Sequence, residues 1–202
     1  MNGSLNIRVT AREMYERGNG SGVWLKLPAT TAQFAAALAR IGAQDKDFVI
    51  SDFESNMAVV SRFQLEHVQK AGLDELNCLA ARLESFDDKQ IDKFNIIAGT
   101  APYTGDIHYY LELAHNMDFY TLYADINNHA ELGEYVFRNS GLIQIPDVWS
   151  AAVDREKLGE LAAESEGGVF IEQGYIVKSN VERESVNEIP QKYRIAPKPD
   201  NY

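Results

Sequence analysis

His67, His108, His115 and His129 are the four imidazoles of a chain that also carries thirty carboxylates. These are the side chains whose types could do chemistry. His108 and His115 stand seven residues apart and can share one helix face. With Glu112 and Asp118 beside them, they have the ligand types of a carboxylate–histidine metal centre. Imidazoles at this spacing serve equally as solvated or core-edge residues. A small metal-dependent hydrolase is therefore an alternative, and no metal ligand set is assigned. Thirty acids also make chance pairs common, so a two-carboxylate glycosidase has little support. The chain has no G-x-x-x-x-G-K-[ST], no G-x-S-x-G and no H-E-x-x-H. Gly18-Asn19-Gly20-Ser21-Gly22 is glycine-rich but leads into the strand pattern Val23–Leu27, which makes it a turn and not a phosphate cradle. Cys78, the one cysteine, sits in an apolar helical run and reads as core packing. Neither a catalytic residue nor a cofactor is expected.

The carboxylates matter more by distribution than by pairing. From Phe94 through Phe137 there is no Lys or Arg, while Asp106, Glu112, Asp118, Asp125, Glu131 and Glu134 all fall there. The window from 45 to 166 holds 23 Asp/Glu against nine Lys/Arg, an excess of fourteen negative charges. The whole chain is only −11, so the flanks together are slightly positive. Crowded charge of one sign opposes compaction, and a basic partner would make use of it. Binding of nucleic acid by this protein is disfavoured, because phosphate would be repelled. Duplex DNA carries one charge per ~1.7 Å, so 23 carboxylates could match at most about 40 Å of it. No basic or apolar leader opens the chain and no apolar run reaches membrane length, so a cytoplasmic protein with no membrane partner is expected.

The elements that must position these acids read as α+β. Leu5–Thr10, Val23–Leu27 and Asp47–Phe53 carry strand patterns. Thr30 or Thr31 can cap a helix over Ala32–Ile41, with Gly42 past its end. Helical stripes follow at Leu73–Phe86, Lys89–Ala98 and Asp106–Met117. Then come a strand at Phe119–Tyr123, a helix capped by Asn127 or Asn128, and a single helix over Val148–Ala163. Val169–Ile171 and Tyr175–Val177 form a hairpin across Glu172-Gln173-Gly174. Three subdomains are expected: an antiparallel sheet plus helix over 1–61, an acidic helical bundle over 62–118, and a sheet with helices over 119–178. The stretch 179–202 reads as an irregular tail, with too little periodic apolar content to pack by itself.

Several blocks stand in a recognisable order. They are Gly22-Val23-Trp24-Leu25-Lys26-Leu27-Pro28, Val49-Ile50-Ser51-Asp52-Phe53-Glu54 and Leu73-Asp74-Glu75-Leu76-Asn77-Cys78-Leu79. Glu131-Leu132-Gly133-Glu134-Tyr135-Val136, Ile143-Gln144-Ile145-Pro146 and Gly168-Val169-Phe170-Ile171-Glu172-Gln173-Gly174-Tyr175 follow. In these blocks the chain resembles the ArdA antirestriction proteins, over roughly Asn6–Val177. The resemblance implies an elongated chain of three small domains and a homodimer joined through the C-terminal one. It implies a DNA mimic, carried by a mobile element, that occupies the DNA-binding groove of a type I restriction–modification enzyme without catalysis. The family commonly carries a Tyr-Gly-Arg-Asp-like segment after Pro146; here Leu158-Gly159-Glu160-Leu161 keeps only the glycine. The acids expected to contribute are Asp52, Glu54, Asp74, Glu75, Asp87, Asp88, Asp106, Asp118 and Asp125. Glu131, Glu134 and Tyr135 belong to the family-like segment and serve either display or dimerisation. An acidic interaction module for another basic DNA-binding protein is the alternative.

Overall fold

The computed structural model describes residues 4–43, 47–100, 103–139, 141, 146–179 and 184–196. Asp45, Pro102, Ile143-Gln144-Ile145, Pro197 and Pro199 lie outside them. The fold is α+β, with two small antiparallel three-stranded sheets. The chain divides into two compact units, Met1–Met117 with Glu184–Tyr202, and Asp118–Arg183.

The first unit begins with strand β1 (Leu5–Ala11), helix α1 (Arg12–Glu16), strand β2 (Val23–Leu27), helix α2 (Thr31–Ile41) and strand β3 (Phe48–Ser55). β1 is central, in the order β2-β1-β3. Its alternation puts Leu5, Ile7 and Val9 in the core at 2% exposure or less. α2 has a complete capping box at Thr30 and Gln33, and Gly42 closes it in the left-handed region at φ 68°. Phe34 of α2 meets Phe48 edge to face at 5.1 Å. The β1–β3 register slips between Arg8 and Val9, which pair with Asp52 and Ile50. Ser51 is the extra residue, and its hydroxyl lies 2.7 Å from that of buried Thr10.

Four helices follow: α3 (Leu65–Ala71), α4 (Leu73–Glu84), α5 (Asp88–Thr100) and α6 (Ile107–His115). Their stripes bury as expected: Leu73, Leu76, Leu79 and Leu83 on α4, Ile91, Phe94 and Ile97 on α5, Ile107, Tyr110, Leu111 and Ala114 on α6. Asn77 of α4 is 1% exposed. It accepts from the Ala29 N–H at 2.7 Å and donates to the Ala29 and Tyr193 carbonyls at 3.1 and 2.9 Å. One buried amide thus ties α4 to the loop after β2 and to the tail. The tail returns to this unit from Glu184 with a single 3-10 turn, Gln191–Tyr193. Irregular though it is, it buries Ile195 to 2% exposure.

The second unit holds β4 (Tyr120–Tyr123), α7 (His129–Asn139), α8 (Asp147–Ser150), α9 (Arg155–Glu166), β5 (Val169–Ile171) and β6 (Gly174–Lys178). β6 is central, between β4 and β5. The single helix expected over Val148–Ala163 is two. Asp154 accepts from the Lys157 N–H at 3.0 Å and starts a new helix, α9. α7 and α9 touch backbone to backbone. A Cβ on Gly133 would lie 1.8 Å from the Arg155 carbonyl oxygen, and one on Gly159 would lie 1.8 Å from that of His129.

Ile126, Leu132 and Tyr175 centre the core of this unit, with Tyr123, Val136 and Phe170 around them. The Tyr175 hydroxyl donates to Glu166 Oε2 at 3.2 Å. Burial first, and then the Glu166 charge, push its pKa up from 10.0 to about 12. The folded state therefore holds this proton more tightly than the unfolded chain. The stabilisation is complete below pH 10 and disappears as pH rises towards about 12. A titration followed by tyrosinate absorbance and circular dichroism should show the second unit loosening in that window. Tyr175→Phe should lose that alkaline step; a variant that loosens at the same pH would place the cause elsewhere.

Candidate functional site

The expected acids fall on both units, and their local chemistry differs. Asp52 leaves β3 opposite Arg8 and meets its guanidinium at 3.2 Å. Glu54, two residues on, is exposed and accepts from Asn6 Nδ2 at 2.9 Å. Asp74 lies in the first turn of α4, where one carboxylate oxygen accepts the Ile195 and Ala196 N–H groups, both at 2.7 Å. Its neighbour Glu75, with 17% of its side chain exposed, is 2.6 Å from His108 Nδ1. His108 Nε2 is in turn 3.6 Å from Glu112.

Asp87 and Gln90 form a reciprocal capping box at the start of α5, at 2.8 and 3.0 Å. Asp88, the first residue of that helix, is exposed beside Asp87. Asp106 caps α6 through the His108 N–H at 3.0 Å. Asp118 and Asp125 are exposed, the former in the 3-10 turn Met117–Phe119. The structure thus brings Asp74, Glu75 and Asp106 together around the starts of α4 and α6. Asp52 and Glu54 stand on the sheet, and Asp87 and Asp88 stand at α5.

Most of these carboxylates are held by groups that orient them without cancelling their charge. Among the described residues, the carboxylates of Asp74, Glu75, Asp87 and Asp106 meet backbone N–H groups and an imidazole, not Lys or Arg. A helix N-terminus favours a negative side chain, so charge display and helix capping are compatible here. Asp52 differs, because Arg8 offsets it. His108 and His115 do not converge. His115 Nε2 sits 3.0 Å from Glu184 of the tail, and no group of three or more His, Cys, Asp or Glu among the described residues has metal-holding geometry.

The family-like segment on α7 is used for construction. The Glu134 carboxyl accepts from Arg155 Nε at 2.6 Å and also bonds Arg138. Arg155 first, and then Arg138, hold Glu134 below the ordinary carboxylate range. Arg155 also lies over the Phe137 ring, 3.6 Å from its centroid. Glu131 accepts from the Asn127 N–H at 2.6 Å, which lowers its pKa in the same sense. Tyr135, 38% exposed, packs its ring 5.0 Å from that of Tyr123.

A protein-family model described as antirestriction protein (ArdA) matches residues 7–177. The chain belongs to the ArdA family. No curated protein matches it. The ordered blocks from Asn6 to Val177 carried that membership correctly. The ArdA match spans both sheets and all nine helices recorded among the described residues, and it ends before the tail segment that lies on the first unit. Of Leu158-Gly159-Glu160-Leu161, the glycine is the position that the α7–α9 contact demands. Leu161 is 54% exposed and Glu160 pairs with Lys157, so neither is held by that contact. What the sequence could not signal in this ArdA chain is that Asp74 caps tail amides more than a hundred residues away. No helix among the described residues is long and apolar enough to cross a membrane.

Proposed function

We propose that this protein binds a type I restriction–modification enzyme in place of DNA, with its carboxylates standing where phosphates would, and that it does so without catalysis or cofactor. The observation that supports this reading most is the way Asp87 and Asp106, at the starts of α5 and α6, are held. Backbone N–H groups of their own helices fix their direction and leave their charge in place. A fixed array of uncancelled charge competes for a basic groove and uses the same steering field as DNA. The test is binding to a purified type I methyltransferase core with duplex DNA as competitor. Binding should be mutually exclusive with DNA and should weaken by about tenfold or more between about 50 and about 200 mM salt. Affinity that stays flat with salt would favour an apolar docking surface.

We further propose that two copies associate through the second unit. Five of the seven exposed large apolar side chains recorded lie there: Tyr135, Val148, Trp149, Leu161 and Val169, with Val148 80% and Trp149 63% exposed. A unit of this size buries its own surface poorly, and a symmetric interface would cover the excess. Sedimentation equilibrium should give a dimer at about 10 μM that Trp149→Asp weakens by at least about tenfold. A monomer throughout that range would remove the proposal.

A further inference from the structure

α4 is buried over five consecutive residues, Leu76–Ala80. Five residues at about 100° each pass right round a helix, so this turn is covered on every side. Leu76, Leu79 and Ala80 belong to the core stripe; Asn77 and Cys78 do not. The tail segment 184–196 covers Asn77 and brings Lys192 close enough for its charge to act on the Cys78 thiol. Asn77 donates to the Tyr193 carbonyl at 2.9 Å, and the Gln191–Tyr193 turn packs on α4. Cys78 is 6% exposed; burial raises its pKa, and the Lys192 charge partly offsets that.

The segment is held at its two ends and, between them, by the Asn77 bond to Tyr193 and the short turn on α4. At Glu184 the backbone exchanges two bonds with the Asn116 side chain, at 2.9 and 3.0 Å. At the far end Ile195 is 2% exposed, and Asp74 accepts its N–H and that of Ala196. Every residue from 185 to 194 is exposed or half-buried. One apolar anchor and a few bonds make a segment that opens far more readily than the unit unfolds. It also lies wholly beyond the family-matched span 7–177, so the matched fold is defined without it.

We propose that residues 184–196 form a releasable strap: closed, it covers one side of α4 and engages Asp74; open, it adds that carboxylate and that helix side to the acidic surface offered to a basic DNA-binding partner. The opening stands on the geometry alone. Its effect on the partner rests on the DNA-mimic reading above.

Cys78 reports the opening without any partner. In full-length Ile195→Ser, which removes the anchor without adding charge, a thiol reagent should label Cys78 at least ~10-fold faster than in the unaltered chain, at unchanged circular dichroism. Phe34→Leu, which weakens the core of the same unit away from the segment, should leave labelling slow. Ile195→Ala serves in place of the serine variant if the latter does not fold. Labelling that does not rise, or that rises equally in Phe34→Leu, overturns the strap. Affinity for the methyltransferase core supplies the second readout, and Ile195→Ser should bind a few-fold tighter, about 3-fold or more. Equal or weaker binding with fast labelling overturns the masking role. If neither form binds, the DNA-mimic reading fails, while the labelling rates still decide whether the strap opens.

Discussion

Gly133→Ala or Gly159→Ala should each destabilise the second unit by about 3 kcal/mol, the largest stability effect expected from any single methyl group in this chain. The added Cβ would lie 1.8 Å from a backbone carbonyl oxygen of the opposite helix, and a backbone cannot swing aside as a side chain can. The two sites are reciprocal: each Cβ would also stand 2.9 Å from the other glycine's nitrogen. Relief requires α7 and α9 to move apart, which strips contacts from Leu132 and Val136 and disturbs Arg155 over Phe137. Stability of about 0.05–0.15 kcal/mol per residue gives a unit of this size only about 3–10 kcal/mol in total. Either variant should therefore leave much of the unit unfolded at modest temperature. Gly99→Ala is the control. Gly99 is exposed near the end of α5 with nothing within 4 Å of an added Cβ, so alanine there should be neutral or up to about 1 kcal/mol stabilising. Urea denaturation of the three variants decides it. A Gly133→Ala protein as stable as the parent would mean that the helices separate at no cost.

The elements legible in the sequence are those whose signal is local. β2 carries its pattern within five residues, and α2 has its caps, Thr30 and Gly42, directly at its two ends. The stripes of α4, α5 and α6 were legible for the same reason. α1 was not, because five residues with none buried leave no period to see. α3 follows Gln64, whose side chain makes no cap, and buries only Val68, so it too lacks a signature. The break between α8 and α9 was hidden by apolar residues that continue the pattern while facing outwards, as Val148 and Trp149 do.

Of the candidate site, the acid count and the family blocks were legible, whereas the duties of the individual acids were not. Asp106, read from the sequence as the first residue of its helix, is instead its N-cap. The engagement of Asp74 by the tail, and of Glu75 by His108, depends on chain segments brought together only by folding. Those long-range partners also separate acids that can be neutralised safely from acids that cannot.

That distinction shapes the remaining large effect. Glu54→Gln, Asp87→Asn, Asp88→Asn and Asp106→Asn together should lower affinity for a type I methyltransferase core by about 2–4 kcal/mol, or roughly 30- to 1000-fold. All four residues are exposed and all belong to the first unit. Asparagine caps a helix about as well as aspartate, so the bonds from Asp87 to the Gln90 N–H and from Asp106 to the His108 N–H can persist in the variant. The charge is removed while the architecture stays. Each substitution alone should cost about 1 kcal/mol or less, in line with exposed ion pairs. Stability should change little, since relief of self-repulsion offsets the lost attraction of three of these charges to helix N-termini. The salt dependence of binding should flatten in step, because fewer charges remain to be screened. Isothermal titration of the four single variants and the combined one, at two salt concentrations, separates the possibilities. A single variant that abolishes binding with its fold intact would point to a discrete contact. A combined variant that binds like the parent would place the contact surface elsewhere on the protein.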